Sequence, residues 1–160
     1  MYRKVEPGLI RVYADEVTYP LHVILRYKLE KAIIADEIAI EDLPGAWNDM
    51  MERYLGIRPD SDRDGVMQDV HWPEGLFGYF PTYSLGAMAA AQIFAAAKNQ
   101  EPDLLPGLAR GDVKPLFGWL DANIRSQGCL FEPDELIERA TGAPLGTAAY
   151  KASITARYLG

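Results

Sequence analysis

The sequence is short of the side chains that grip metals and build cross-links. Its 160 residues include one cysteine, Cys129, and two histidines, His22 and His71. One cysteine excludes an internal disulfide and a Cys-rich zinc site. The histidines stand far apart, so there is no HExxH helix, in which two histidines one turn apart hold a metal. Positive charge is also scarce: 16 Lys and Arg against 23 Asp and Glu leave a net charge of -7. No basic run is long enough to track a nucleic-acid backbone, and the acidic balance argues against nonspecific nucleic-acid binding. Long apolar runs are missing too. The longest, about Ala87 to Ala97, is alanine-rich, broken by Gln92 and too short to span a bilayer. The start, Met1-Tyr2-Arg3-Lys4-Val5-Glu6-Pro7, has no apolar core of a signal peptide. The expectation is no nucleic-acid partner, no membrane and a cytoplasmic location. A P-loop, a dinucleotide fingerprint and a GxSxG elbow are likewise absent.

What is present is an ordinary globular composition, 49% apolar and 24% charged, which rules out whole-chain disorder. The length fits one domain or a large piece of one. Strand-like alternation is nearly absent, and helical spacing recurs. Ile10, Ala14, Val17, Leu21, Ile24 and Leu25 share a face and predict a helix from Leu9 to about Glu37, kinked or split at Pro20. Asp42 and Pro44 mark the start of a second helix through Trp47, Met50, Met51 and Tyr54, which Gly56 ends. A third runs from Thr82 to about Asn99, and Pro102, Pro106 and Gly107 read as a connection. Val113–Arg125 is a helix with Leu116, Phe117 and Leu120 inward. Pro133 opens a short helix through Leu136, Ile137 and Ala140 that stops at Gly142, and Pro144–Leu159 is the last. The fold class is all-α. Residues 57–82 differ: glycines and prolines alternate with His71, Trp72, Phe77, Tyr79 and Phe80, which indicates an ordered loop.

Three constellations carry chemistry. On a continuous helix Arg11 and Asp15 would face the same way, one turn apart, with Thr18 and His22 on the same ridge. They form either a carboxylate-held guanidinium offered to an anion or a solvated ion pair. His22 alone reads as a buried structural histidine. Next, Gln68, Asp69 and His71 put an amide, an acceptor and a titratable ring within four residues. Asp69 orients the imidazole for a substrate, or the group is a capped turn with Trp72 tucked in. Last, Tyr79 and Tyr83 flank a helix entry, as hydroxyl donors to an oxyanion or as aromatic packing. Cys129 reads as a small buried hydrophobe, and Trp47, Trp119 and Met50-Met51 as core.

Ile10-Arg11-x-x-Ala14-Asp15 and Gly65-x-x-Gln68-Asp69-x-His71-Trp72 resemble two signature motifs of the thermostable carboxypeptidase 1 (Taq-type) family of zinc metallocarboxypeptidases. Asp15-Glu16-Val17-Thr18-Tyr19-Pro20-Leu21-His22, Asp42-Leu43-Pro44 and Gly78-Tyr79-Phe80-Pro81-Thr82-Tyr83-x-Leu85-Gly86 are similar to it as well, in matching order and spacing. The resemblance implies a helical fold with a deep substrate groove, removal of C-terminal residues from peptides, and homodimers. It implies zinc or cobalt held by an HExxH helix and a downstream glutamate, with the motif's own glutamate activating the metal-bound water.

The sequence departs from the family in lacking HExxH. In the family that motif, the third ligand and a DxRxT motif precede the Ile-Arg-x-x-Ala-Asp segment, and this sequence begins just before it. Residues 1–160 are therefore expected to be the C-terminal portion of a carboxypeptidase catalytic domain. They would form one wall of the groove with no metal ligand and be inactive alone, with the N-terminal portion and a peptide as partners. The resemblance casts Arg11, Asp15, Gln68 and Asp69 as substrate-binding residues and His71, Tyr79 and Tyr83 as transition-state donors. The alternative is a stand-alone helical peptide-binding or interaction module derived from such an enzyme. Apolar surface left uncovered would drive self-association.

Overall fold

A computed structural model describes residues 4–160, so Met1-Tyr2-Arg3 of the polar start lie outside the described residues. Among the described residues there are seven α-helices, three short 3-10 turns and no strand. The chain is all-α, as the spacing predicts. It divides into two compact units, one ending at Ser84 and the other Leu85–Gly160.

The first unit is built on two helices, α1 (Tyr19–Ile34) and α2 (Leu43–Leu55). The helix expected from Leu9, kinked or split at Pro20, is helical only in its second half. Arg11–Tyr13 is a single 3-10 turn, and α1 starts at Tyr19 with Pro20 in its first turn. Proline suits that place because the first-turn N–H groups have no helical partner to lose. Ahead of it, Asp15 ends the turn by accepting the N–H groups of Val17 and Thr18 on one oxygen, both at 2.9 Å. The carboxylate competes with the backbone for these donors, which overrides the apolar spacing of Ile10, Ala14 and Val17.

α2 is strongly one-sided. Leu43, Trp47, Met51 and Leu55 recur every fourth residue and are buried against Leu25 and Leu29 of α1. Burying each large side chain contributes roughly 1.5–3 kcal/mol, so this seam holds the unit together. Gly56 ends α2 in the left-handed conformation at φ 71°, its N–H on Glu52 O. Asp42 occupies the N-cap position but its side chain makes no cap bond.

Residues 57–80 contain no regular helix and are ordered by turns and packing. Gly65 is buried, and a Cβ there would sit 3.2 Å from Ser61 O and 3.4 Å from Pro59 Cβ. Trp72 lies edge-on to Trp47, and Phe80 is buried beneath the loop.

The unit boundary falls inside α3 (Pro81–Gln100). The second unit packs Ala96 and Ala97 of α3 with Leu104, Trp119 and Ala140. The expected connection at 102–107 contains a helix, α4 (Leu104–Ala109), which accepts Pro106 within its first turn, where no helical N–H bond is lost. In α5 (Lys114–Asn123), Trp119 is buried with Leu116 and Leu120 beside it, while Phe117 stands exposed beneath the Arg125 guanidinium. Residues three and four apart share the buried stripe, and Phe117 is off it. α6 (Pro133–Thr141) buries Ile137 and Ala140 and ends at Gly142, and α7 (Ala148–Tyr158) starts later than Pro144. Cys129 is exposed rather than buried. It follows Gly128, which ends the 3-10 turn at Arg125–Gln127 with a positive φ.

Candidate functional site

The chemistry of the first unit converges on Asp69. Its two carboxylate oxygens take two different arginines. Arg11 donates Nε (3.0 Å) and Nη2 (2.6 Å) to Oδ1. Arg26, on α1, donates Nε to Oδ2 at 2.6 Å. Both arginines are buried, Arg26 completely. Burial alone would raise the Asp69 carboxyl, but the hydrogen bond from Arg11 and the charges of both guanidinia hold it below its ordinary value. Burial pulls Arg26 down to about 10 against the pull of Asp69, so it stays charged at neutral pH.

Gln68 binds the same assembly together. Its Oε1 accepts the Arg11 backbone N–H and Arg26 Nη2, both at 2.9 Å. Its Nε2 donates to Leu9 O and Asp64 O. Both ends of the amide are thus occupied within the chain. Arg11 is completed by Tyr19, whose hydroxyl accepts from Nη1 at 2.7 Å, and its guanidinium lies 5.1 Å from the Tyr83 ring centre.

His71 stands next to this cluster. Its Nε2 is 3.0 Å from the Tyr83 hydroxyl, and its ring packs on Phe80 at 4.4 Å. Nδ1 is buried without a hydrogen-bond partner. Burial, reinforced by the positive charge of Arg11, lowers the His71 pKa, so the ring is neutral at pH 7. Tyr79 is half exposed, with its ring 5.5 Å from His71 and 5.4 Å from Tyr83. Burial raises the Tyr83 phenol, which keeps its proton.

Two expected pairings are replaced. Asp15 does not hold Arg11: its carboxylate accepts the backbone N–H groups of Glu6, Val17 and Thr18, because the segment is not one helix. Asp69 does not orient His71 by a hydrogen bond, since Nδ1 is 3.9 Å from Oδ1 and both oxygens already face arginines. The structure brings Arg11, Gln68, Asp69, His71, Tyr79 and Tyr83 together and sets Asp15 apart.

Arg26 and Glu30 are outside every motif of the sequence, and Tyr19 and Phe80, which lie within the motifs, join the site without having been assigned a role. Glu30 accepts Trp72 Nε1 at 2.9 Å on one oxygen and the Gly78 N–H at 2.5 Å on the other, tying both ends of the aromatic loop to α1. The signal was available. His22, Arg26 and Glu30 recur every fourth residue within the apolar stripe of Val23, Leu25 and Leu29, where a charge is tolerated only with a partner.

Among the described residues no group of three or more His, Cys, Asp or Glu side chains is arranged to hold a metal ion. Both oxygens of Asp69 face arginines and His71 Nε2 meets Tyr83, which leaves His71 Nδ1 as a single donor. Two guanidinia at this cluster also repel a divalent cation. These residues do not fit a metal centre, and none of the chemistry derived for them passes through one.

The sequence model of the carboxypeptidase Taq (M32) metallopeptidase family matches residues 1–158. The chain is 47% identical over 154 residues to thermostable carboxypeptidase 1 of Thermus thermophilus, covering 96% of this chain and 30% of that protein. It is 46% identical over 140 residues to carboxypeptidase 1 of Bacillus subtilis, covering 88% of this chain and 28% of that protein. Among solved structures, Trypanosoma cruzi metallocarboxypeptidase 1 superposes with a TM-score of 0.94 at 40% identity, over 99% of this chain and 33% of that one. The Pyrococcus furiosus carboxypeptidase gives 0.92 at 40% identity, over 96% and 31%. The chain therefore spans less than a third of the length of the curated relatives it matches.

Proposed function

The chain belongs to the carboxypeptidase Taq (M32) metallopeptidase family, and on that premise we propose that residues 1–160 are the C-terminal part of a carboxypeptidase catalytic domain. In this reading they form one wall of a peptide groove, with the ordered Gly/Pro/aromatic loop at its surface. The zinc or cobalt of such an enzyme is held by residues that this sequence does not contain.

The observation that carries the proposal is the unspent capacity of Arg11. A guanidinium has five N–H donors. The bonds to Asp69 and Tyr19 use Nε, one hydrogen on Nη2 and one on Nη1. In this reading the remaining hydrogens on Nη1 and Nη2 would take the two oxygens of a peptide carboxylate. Asp69 and Gln68 serve by holding Arg11 rather than by touching substrate, and Asp15 serves by shaping the chain that carries it. His71, Tyr83 and the half-exposed Tyr79 stand alongside as neutral donors. Held in place before reaction, such donors stabilise an oxyanion as it forms.

Self-association belongs to the same reading. Val12, Tyr13, Met67 and Val70 stand exposed on the first unit, apolar surface of the kind that subunits or further chain cover. The second reading is a stand-alone helical peptide-binding module, which would bind peptides without cleaving them.

A titration tests the anchor. A short peptide with a free C-terminal carboxylate is expected to bind the wild-type chain more tightly than its C-terminal amide, and Arg11→Gln is expected to abolish the difference. Equal binding of acid and amide by the wild type would remove Arg11 from the role.

A further inference from the structure

Arg26 lies outside the motifs of the sequence, yet it bonds both Asp69 and Gln68. It is fully buried in the helix face that packs on α2. Its Nη1 donates to His22 O one turn earlier in the same helix at 2.9 Å, and its guanidinium lies 4.5 Å over the Trp47 ring. The head group is thereby tied to its own helix and to Trp47 of α2.

What it holds is the support of Arg11. Both Arg11 bonds to Asp69 land on the single oxygen Oδ1. A carboxylate gripped at one oxygen can turn about its last torsion, which is broad and roughly two-fold. Arg26 Nε on Oδ2 at 2.6 Å closes that freedom. Arg26 Nη2 also shares Gln68 Oε1 with the Arg11 main-chain N–H, so the same guanidinium steadies both the backbone and the side chain of Arg11.

We propose that Arg26 is a positioning residue of this site: by holding the second oxygen of Asp69 and the amide oxygen of Gln68, it sets the direction in which Arg11 presents its unspent N–H groups. The inference rests on the reading of Arg11 as the peptide-carboxylate anchor. It also distinguishes Arg26 from a plain buried charge. Removing Arg26 leaves Asp69 paired with Arg11, one negative against one positive, so no bare charge is created. Its loss should therefore loosen Arg11 specifically rather than melt the unit.

The test is arginine side-chain NMR on the 15N-labelled chain, with the Nε–Hε signals assigned from Arg11→Lys and Arg26→Lys. In Arg26→Met, hydrogen exchange at Arg11 Hε is expected to rise roughly tenfold or more, while the backbone amides of Leu25 and Trp47 keep their protection. A folded Arg26→Met chain in which Arg11 Hε exchanges as in the wild type would overturn the proposal. If Arg26→Met does not fold, Arg26→Lys decides by the same criterion. It keeps a charge on an alkyl stem but cannot span Asp69 and Gln68 together. Adding the peptide acid to the same samples separates the two claims. A wild-type Arg11 Hε that does not shift with peptide would fail the anchor role, and the exchange rates would still decide Arg26.

Discussion

Arg11 and Asp69 are 58 positions apart in the chain, and Arg11 Nη2 meets Asp69 Oδ1 at 2.6 Å. Because Arg26 takes the other oxygen, one half-buried carboxylate answers two buried cations.

Asp69→Asn should therefore be among the most damaging single changes in the first unit. It keeps the shape but leaves two guanidinia without a counter-charge, at a cost of roughly 3–5 kcal/mol. Urea unfolding of the variant and the wild type measures this. A loss under about 1 kcal/mol would mean that the pair of arginines is balanced from elsewhere.

Glu30→Gln tests the anchoring of the aromatic loop. The carboxylate accepts from two N–H donors, Trp72 Nε1 and Gly78 N. A glutamine has one accepting oxygen and one donating nitrogen, so one of the two donors loses its partner. The expected cost is roughly 1–3 kcal/mol, with faster amide exchange at Gly78 and a changed Trp72 emission. Unchanged Gly78 exchange would show that the loop is held by packing alone.

His22 predicts an acid-sensitive fold. It is fully buried, and neither ring nitrogen has a hydrogen-bond partner. Burial, helped by the charge of Arg26, lowers its pKa from the ordinary 6.5 to about 4. As pH falls the unfolded chain takes up the proton first, so the stabilisation is full above 6.5, declines from 6.5 to 4 and is gone below. The loss over that window is about 3 kcal/mol. The Asp69 and Asp15 carboxyls titrate below their ordinary 3.8, so their losses come at still lower pH. Stability measured from pH 7 to 4 should slope in the wild type and slope less steeply in His22→Leu, the remainder coming from His71, whose pKa burial also lowers. Equal slopes would assign the effect to other groups.

Tyr83→Phe removes the partner of His71 Nε2 and little else. The stability cost should be modest, roughly 0.5–1.5 kcal/mol, and the imidazole 15N signals of His71 should move. In an assembled peptidase the same change should lower kcat more than it raises KM, since an oxyanion donor acts on the transition state. Unmoved His71 signals would mean that the two groups are neighbours without a bond.

The fold was legible where local chemistry and spacing agreed. Leu43, Trp47, Met51 and Leu55 mark one face of α2, and Gly56 ends it as a residue free to take positive φ should. It was misread where a side chain competed with the backbone. Asp15 captures the N–H groups that a helix through Leu9–Thr18 would need, which no apolar count registers. The site was legible as a set of residues but not as a set of bonds. Arg11, Gln68, Asp69, His71 and Tyr83 do assemble, yet Arg11 pairs with Asp69 rather than Asp15, and His71 with Tyr83 rather than Asp69. Pairings across more than 50 residues are decided by how the loop lies on α1. Arg26 and Glu30 fix that placement, and their position within the apolar stripe of α1 marks them as buried charges without naming their partners.

The most direct test of the account is to mix the purified chain with a separately expressed HExxH-bearing N-terminal portion of a relative, such as the Thermus thermophilus thermostable carboxypeptidase 1. Release of C-terminal amino acids from a peptide is then followed with and without a chelator. The account predicts no chelator-sensitive hydrolysis by the chain alone, hydrolysis on mixing, and loss of that hydrolysis in Arg11→Gln. Robust chelator-sensitive hydrolysis by the 160-residue chain alone would contradict it.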